Sequence, residues 1–153
     1  MRTVKSFAEL SAESPRYTDE VVLLLSHTSG KYKGGGQFKY DSSKVGQNDG
    51  GTVANGWVRV DLTLPQPEWF GAMGDNVRDD TLEVRKASQV NNRLHLVGDY
   101  IVTDTIVFDR ANFFSVTGLD KNSIVRNRCV GKPCFKFQTR EYTEVKNLKI
   151  RVS

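Results

Sequence analysis

Hydrophobic positions fall into short groups whose spacing changes twice along the chain. Near the start, Ser6 and Glu9 stand in the S-x-x-E arrangement of a capping box, in which each side chain satisfies an exposed amide at a helix start, so a short helix is predicted over about 6–12. Val21 to Leu25 follow as an unbroken apolar run bounded by turn formers, which predicts a buried strand. The stretch TSGKYKGGG must then turn, because Gly34, Gly35 and Gly36 admit backbone angles closed to other residues. Beyond it, Phe38 and Tyr40 share one face of a strand and Lys39 takes the other. Asp49-Gly50 is the strongest short hairpin signal and leads into Thr52 and Val53. In the next strand Trp57, Arg59 and Asp61 alternate with Val58, Val60 and Leu62.

After the joint TLPQP the period changes. Asp80 and Glu83 repeat the capping-box spacing, with Asp79 adding negative charge where a helix dipole favours it, so a helix is predicted over about 81–90 with Asp80 as its cap. Its Leu82, Val84 and Ala87 make too narrow a stripe for a bundle, which places it against the end or side of a sheet. From Leu94 onward the pattern is short apolar runs separated by turns: LHLVGDYIV, DTIVFD, FFSVTGL, SIVRN, CFKFQ and VKNLKIRV. No helical crossover fits between them, and strands this short suit the coils of a solenoid at least as well as a meander. Three regions result: a small β-rich domain over 1–62, a linker and capping helix over 63–90, and a strand-built region over 91–153.

Composition narrows the class. Of 153 residues, 38% are apolar and 26% charged, and 13 glycines against 4 prolines mark a turn-rich, soluble chain. No apolar run approaches the roughly 20 residues a membrane span needs, and the opening MRTVKSFAEL lacks the apolar core of a signal peptide, so neither membrane insertion nor export by that route is expected. The net charge of +4 is spread along the sequence, as on an ordinary solvated surface. Cys129 and Cys134, separated by VGKP, have neither a second cysteine pair nor a nearby histidine, which makes a poor zinc site and favours two reduced, packed thiols.

One block carries a resemblance. Trp69-Phe70-Gly71-Ala72-Met73-Gly74-Asp75, followed by Asp79-Asp80-Thr81, resembles the W-F-G-A-x-G-D-G-x-x-D-D-T block that opens the solenoid in bacteriophage tailspikes and capsule depolymerases of the pectate-lyase-like right-handed β-helix group. Asn76 replaces a glycine of the pattern, and asparagine tolerates the left-handed backbone region. Upstream, SFAEL, GGGQFKYD, NDGGTV and GWVRV resemble the small domain preceding that helix; downstream, NFFSVTG and VKNLKI resemble its coils. The resemblance implies a mainly β fold: a small amino-terminal domain, a short capping helix and the first coils of a right-handed parallel β-helix that continues beyond this piece. It further implies a homotrimer, joined to other virion tail proteins, that recognises and degrades a bacterial surface polysaccharide. Trp69 and Phe70 would be buried anchors plugging the base of the coils, Gly71 and Gly74 the turns, and Asp75, Asp79, Asp80 and Thr81 the supports of backbone geometry.

The candidate chemistry is sparse. A phosphate-cradling loop wants basic residues and free N–H groups, whereas this block carries Asp75, Asp79 and Asp80. Capping accounts for two of those acids, so a metal is not expected, nor is any cofactor. Glycosidic cleavage needs two carboxyl groups about 5 to 9.5 Å apart, and Asp99, Asp104, Asp109, Asp120, Glu141 and Glu144 form no recognisable pair, so no catalytic residue is assigned. His27 and His95 stand singly beside apolar runs and read as packed residues. Tyr32, Tyr40, Trp57, Tyr100 and Phe113 are able to stack on sugars but are equally core candidates. Arg126, Arg128, Lys132 and Lys136 alternate with apolar residues like the outer face of a strand, and no nucleic-acid partner is expected. Two other readings remain open here, a self-contained carbohydrate-binding module and a compact polysaccharide lyase or hydrolase.

Overall fold

The amino-terminal capping box forms as its spacing predicts. Ser6 caps helix α1 (Phe7–Ala12), its Oγ accepting from the Glu9 N–H at 3.2 Å while the Glu9 carboxylate accepts from the Lys5 N–H at 3.3 Å. The helix lays Phe7 and Leu10 against a five-stranded sheet of β1 (Arg2–Val4), β2 (Val21–Leu24), β3 (Gly36–Tyr40), β4 (Val53–Ala54) and β5 (Trp57–Arg59). The strand order is β1-β2-β3-β5-β4, with β1 parallel to β2 and the remaining pairs antiparallel. Val4, Val22, Leu24, Phe38, Ala54 and Trp57 complete this core. Only alternate residues of the Val21 run are buried, Val22 and Leu24, because the core lies on one face of the sheet.

This is a computed structural model, and it describes residues 1–109, 112–139 and 141–152. Two compact units divide the chain: Met1–Leu62 with Glu68–Gly71, and Thr63–Pro67 with Ala72–Ser153. Among the described residues no helix is long and apolar enough to cross a membrane.

The tight two-residue hairpin between β4 and β5 falls at Asn55-Gly56, and at Asp49-Gly50 the chain reverses through a wider loop closed by an antiparallel bridge between Asn48 and Ala54. Asn55 and Gly56 have φ of 47° and 97°, the two positive angles that a tight turn between β4 and β5 requires. Asp49 instead folds its own loop, its Oδ1 accepting from the N–H groups of Gly51 at 2.9 Å, Thr52 at 2.7 Å and Val53 at 2.9 Å, and its other oxygen from the Thr52 hydroxyl. Burial pushes this carboxyl up, but the Thr52 hydroxyl and the three N–H groups outweigh it and hold it below its ordinary 3.8. The stability this gives is complete above that value and is lost as pH falls through the lower folded one. Asp49→Asn is therefore expected to cost about 1 kcal/mol at pH 7 and to flatten acid destabilisation below pH 4. Thermal unfolding of both proteins over that range checks this.

In the second unit, β6 (Asp75–Asp79) and α2 (Thr81–Ser88) precede three coils. The first coil is β7 (Arg93–Leu96), β8 (Asp99–Val102) and β9 (Ile106–Phe108); the second is β10 (Phe113–Gly118), β11 (Ile124–Asn127) and β12 (Phe135–Phe137); the third begins with β13 (Tyr142–Lys146) and β14 (Lys149–Val152). Equivalent strands pair in parallel as ladders β7-β10-β13, β6-β8-β11-β14 and β9-β12. The run Leu94 to Val102, read as one strand from sequence, breaks into two at Val97-Gly98, where the Tyr100 hydroxyl accepts both amides at 3.1 Å. The register stacks like on like: Leu94, Val116 and Val145 lie in one row, Tyr100, Val125 and Ile150 in another, and Phe108 faces Phe137. Inside, the Phe108 ring lies 4.6 Å from Phe137 and 4.7 Å from Phe114. Helix α2 packs beside β7, β8 and β9, burying Val84 and Ala87 but leaving Leu82 exposed. Gly118 ends β10 where a Cβ would run into the Asn147 carbonyl oxygen of the third coil. Gly118→Ala is expected to lose about 1 to 3 kcal/mol, read by denaturant unfolding.

Candidate functional site

The block from Trp69 to Thr81 is the most distinctive stretch of the sequence, and its two halves belong to different units. Trp69, Phe70 and Gly71 belong to the first unit. A 3-10 turn over Pro67–Phe70 is closed by the Gly71 N–H donating to the Glu68 carbonyl at 3.2 Å, and Gly71 has φ of 99°, which favours glycine. Phe70 covers Gly51, where a Cβ would meet its ring at 2.6 Å. Trp69 faces Arg59: the guanidinium carbon is 4.3 Å from the Trp69 ring centroid and 4.7 Å from that of Phe38. Arg59 is only 4% exposed and donates to the carbonyls of Gly51 at 3.2 Å, Gly35 at 2.7 Å and Gly34 at 2.9 Å. Burial pushes its pKa down to about 10, partly opposed by the Asp49 carboxylate. Trp69 and Phe70 are thus anchored on the sheet domain, whereas the sequence places them at the base of the coils.

The acidic half lies in the second unit. Asp80 stands at the start of α2 but makes no side-chain cap. It is fully buried, and its two oxygens turn back to accept the N–H groups of Met73 at 3.2 Å and Gly74 at 2.9 Å. Burial raises its pKa, opposed by those two amides and by Arg78. Capping falls to Asp79, whose Oδ1 accepts from the Thr81 N–H at 2.9 Å and whose Oδ2 accepts from the Thr103 hydroxyl at 2.7 Å. The Thr81 hydroxyl accepts in turn from the Thr103 N–H at 2.8 Å, lacing the helix start to the end of β8. Glu83 pairs with Arg78 instead of reaching back to the cap. Asp75 folds the turn, accepting from the Val77 N–H at 3.0 Å, while Asn76 and Gly74 take φ of 60° and 58°. These acids are occupied by backbone amides, hydroxyls and one arginine. Among the described residues no three His, Cys, Asp or Glu side chains are grouped to hold a metal ion.

Four of the six candidate carboxylates of the coils are engaged as well. Asp99 meets Arg126 through two bonds of 2.7 and 2.8 Å, Asp104 bridges Lys132 and Arg85, and Glu144 lies 3.1 Å from Lys146. Asp120 accepts from the Asn122 N–H at 2.7 Å. A general acid needs a raised pKa, and Lys132 holds Asp104 below the ordinary range. His27 stacks on Phe7 at 5.2 Å with Nε2 2.9 Å from the Gly50 carbonyl, and His95 Nδ1 lies 3.2 Å from the Thr117 hydroxyl. Trp57 and Tyr100 are core, Tyr40 packs edge-on against Trp57, Phe113 stacks on Tyr142, and Tyr32 alone of the proposed sugar platforms stands fully out, 83% exposed. Both cysteines are free thiols, and burial raises the pKa of each.

Residues 3–62 match the family described as phage tail protein small four-stranded beta-sheet domain. Across both units the chain is similar to the tailspike protein of Acinetobacter phage vB_ApiP_P1, with 25% identity and a TM-score of 0.83 over 99% of this chain and 29% of that one. The chain has the fold of a tailspike's amino-terminal part. Its likeness extends to the enzymatically active domain of tailspike protein 2 of bacteriophage CBA120, at 26% identity and a TM-score of 0.73 over 88% of this chain and 21% of that one. The coil architecture is also that of Pantoea stewartii WceF, a glycan biofilm modifying enzyme with a tailspike-like parallel β-helix, at 22% identity, a TM-score of 0.75, and 97% and 25% coverage. No curated protein matches in sequence. The chain spans less than a third of the length of these tailspike structures.

Proposed function

We propose that this chain is the non-catalytic amino-terminal part of a phage tailspike. The sheet domain faces the virion and joins other tail proteins; the helix and coils begin the β-helix. The intact protein is made in the host cytoplasm, assembles as a homotrimer on the virion tail, and recognises and degrades a polysaccharide of the bacterial surface. The Trp69–Thr81 block, in this reading, aligns backbone rather than reacting: Trp69 and Phe70 anchor, Gly71 and Gly74 turn, and Asp75, Asp79, Asp80 and Thr81 hold the entry to the first coil. The observation that carries it is the likeness over 99% of the chain to under a third of a tailspike. The engagement of Asp99, Asp104 and Glu144 in ion pairs and of Asp120 in a turn supports placing the cleaving pair elsewhere.

Incubating the purified chain with capsular and O-antigen polysaccharides tests this. No new reducing ends and no unsaturated sugars are expected. Their appearance would move the active site into these residues, and binding without cleavage would mark a self-contained adhesion module.

A further inference from the structure

Positive charge is gathered in one stretch of the chain. Residues 121–153 hold nine Lys and Arg against two Glu, whereas 1–120 hold 13 Lys and Arg against 16 Asp and Glu. From β11 onward the coils are therefore strongly basic, on a chain that is otherwise slightly acidic.

The ladder β6-β8-β11-β14 displays that charge. Tyr100 and Val125 point inward and are fully buried, so the rows on either side of theirs face outward. One outer row is Asp99, Ile124 and Lys149, and the other is Ile101, Arg126 and Arg151. Asp75 and Asp79 of β6 pair with the β8 ends of these rows, so the sign of the charge changes along the face, from acids on β6 and β8 to cations on β11 and β14. The acids are engaged within the fold: Asp75 by the Val77 N–H, Asp79 by Thr81 and Thr103, and Asp99 by Arg126. Arg78, the cation of β6, is held by Glu83. Arg126 gives Nε and Nη2 to Asp99 at 2.7 and 2.8 Å, which fixes the guanidinium and leaves Nη1 without a partner among the described residues. Lys149 and Arg151 are exposed and, among the described residues, meet no carboxylate. Glu144 lies in the other ladder, on β13 and beside Lys146, and Glu141 precedes that strand.

We infer that the outer face of β11 and β14, through Arg126, Lys149 and Arg151, binds an acidic polysaccharide, a linear polymer carrying carboxylates along its length. Cations on successive coils recur at about the strand spacing, 4.7 to 4.9 Å, which is close to the length of one sugar. A neutral glycan gains nothing from such a row, and a second copy of the chain brings the same excess of cations and is repelled. The inference rests on the polysaccharide reading above and deepens it by naming the charge of the polymer. The face attracts the polymer and holds it loosely; no bond is cleaved there.

Titration calorimetry of the purified chain tests this, with polygalacturonate, which has a carboxylate on every sugar, and with dextran, which has none. Binding of polygalacturonate and not of dextran is expected in about 0.01 M salt, where charges act over about 30 Å, and release is expected in about 1 M salt, where that range falls to about 3 Å. Lys149→Gln combined with Arg151→Gln should weaken binding at least about 10-fold in low salt with an unchanged melting temperature. Lys31→Gln combined with Lys33→Gln removes the same charge from the first unit and should change it by less than about 2-fold. Equal losses from the two pairs, or no binding by the wild-type chain in low salt, overturn the face and leave the tailspike reading standing. Single-stranded DNA bound at least about 10-fold more tightly than polygalacturonate overturns the assignment to a glycan. Binding that persists in about 1 M salt overturns both the electrostatic face and the reading above, because the chain is then a self-contained adhesion module.

Discussion

Arg59→Ala is expected to remove about 3 to 5 kcal/mol from the first unit. The guanidinium is buried without a carboxylate in bonding contact; three loop carbonyls and two aromatic rings receive it instead. Truncation would strand the carbonyls of Gly34, Gly35 and Gly51 away from water and leave a void between Phe38 and Trp69. Arg59→Lys keeps the charge but offers no planar fork to serve three separated acceptors and stacks less well, so it should recover only part of the loss. Chemical denaturation followed by tryptophan fluorescence measures both. A loss below 1 kcal/mol for the alanine variant would show that water, not the fold, satisfies those carbonyls.

Trp69→Ala is the companion experiment, with an expected cost of about 3 to 5 kcal/mol. The ring is 7% exposed and gives its face to the same guanidinium. Because the two side chains touch, their effects should not add: the double variant is expected to fall short of the sum of the singles by about 1 to 2 kcal/mol. Strict additivity would mean the ring contributes burial alone. Neither substitution changes the coil interior, so the cooperative unfolding of the second unit should shift less than that of the first.

The coils were legible because parallel stacking asks only for short apolar runs at turn-separated intervals, and runs such as FFSVTG and SIVRN supply them directly. What the sequence hid was decided by partners far along the chain. Alternation alone would bury Val58 and Val60 and expose Arg59; the reverse holds at 59 and 60, because Trp69, ten residues on, provides the ring that a buried guanidinium needs. Adjacent Asp79 and Asp80 are equally able to cap α2 by local rules, and the choice follows from the amides of Met73 and Gly74 claiming Asp80. Asp49-Gly50 and Asn55-Gly56 both signal hairpins, but the first carboxylate finds three amides of its own loop and spends itself there. The tryptophan of the recognisable block was found by motif, while the domain it serves needed coordinates.

The chain visits its units out of order: residues 63–67 belong with the coils, and 68–71 return to the sheet domain before the chain departs again. A recombinant piece cut at Leu62, where the family match ends, would leave the guanidinium of Arg59 without its tryptophan and Gly51 bare of its phenylalanine. Domain swaps between related spikes therefore call for a seam after Gly71, so that each graft carries its own lid.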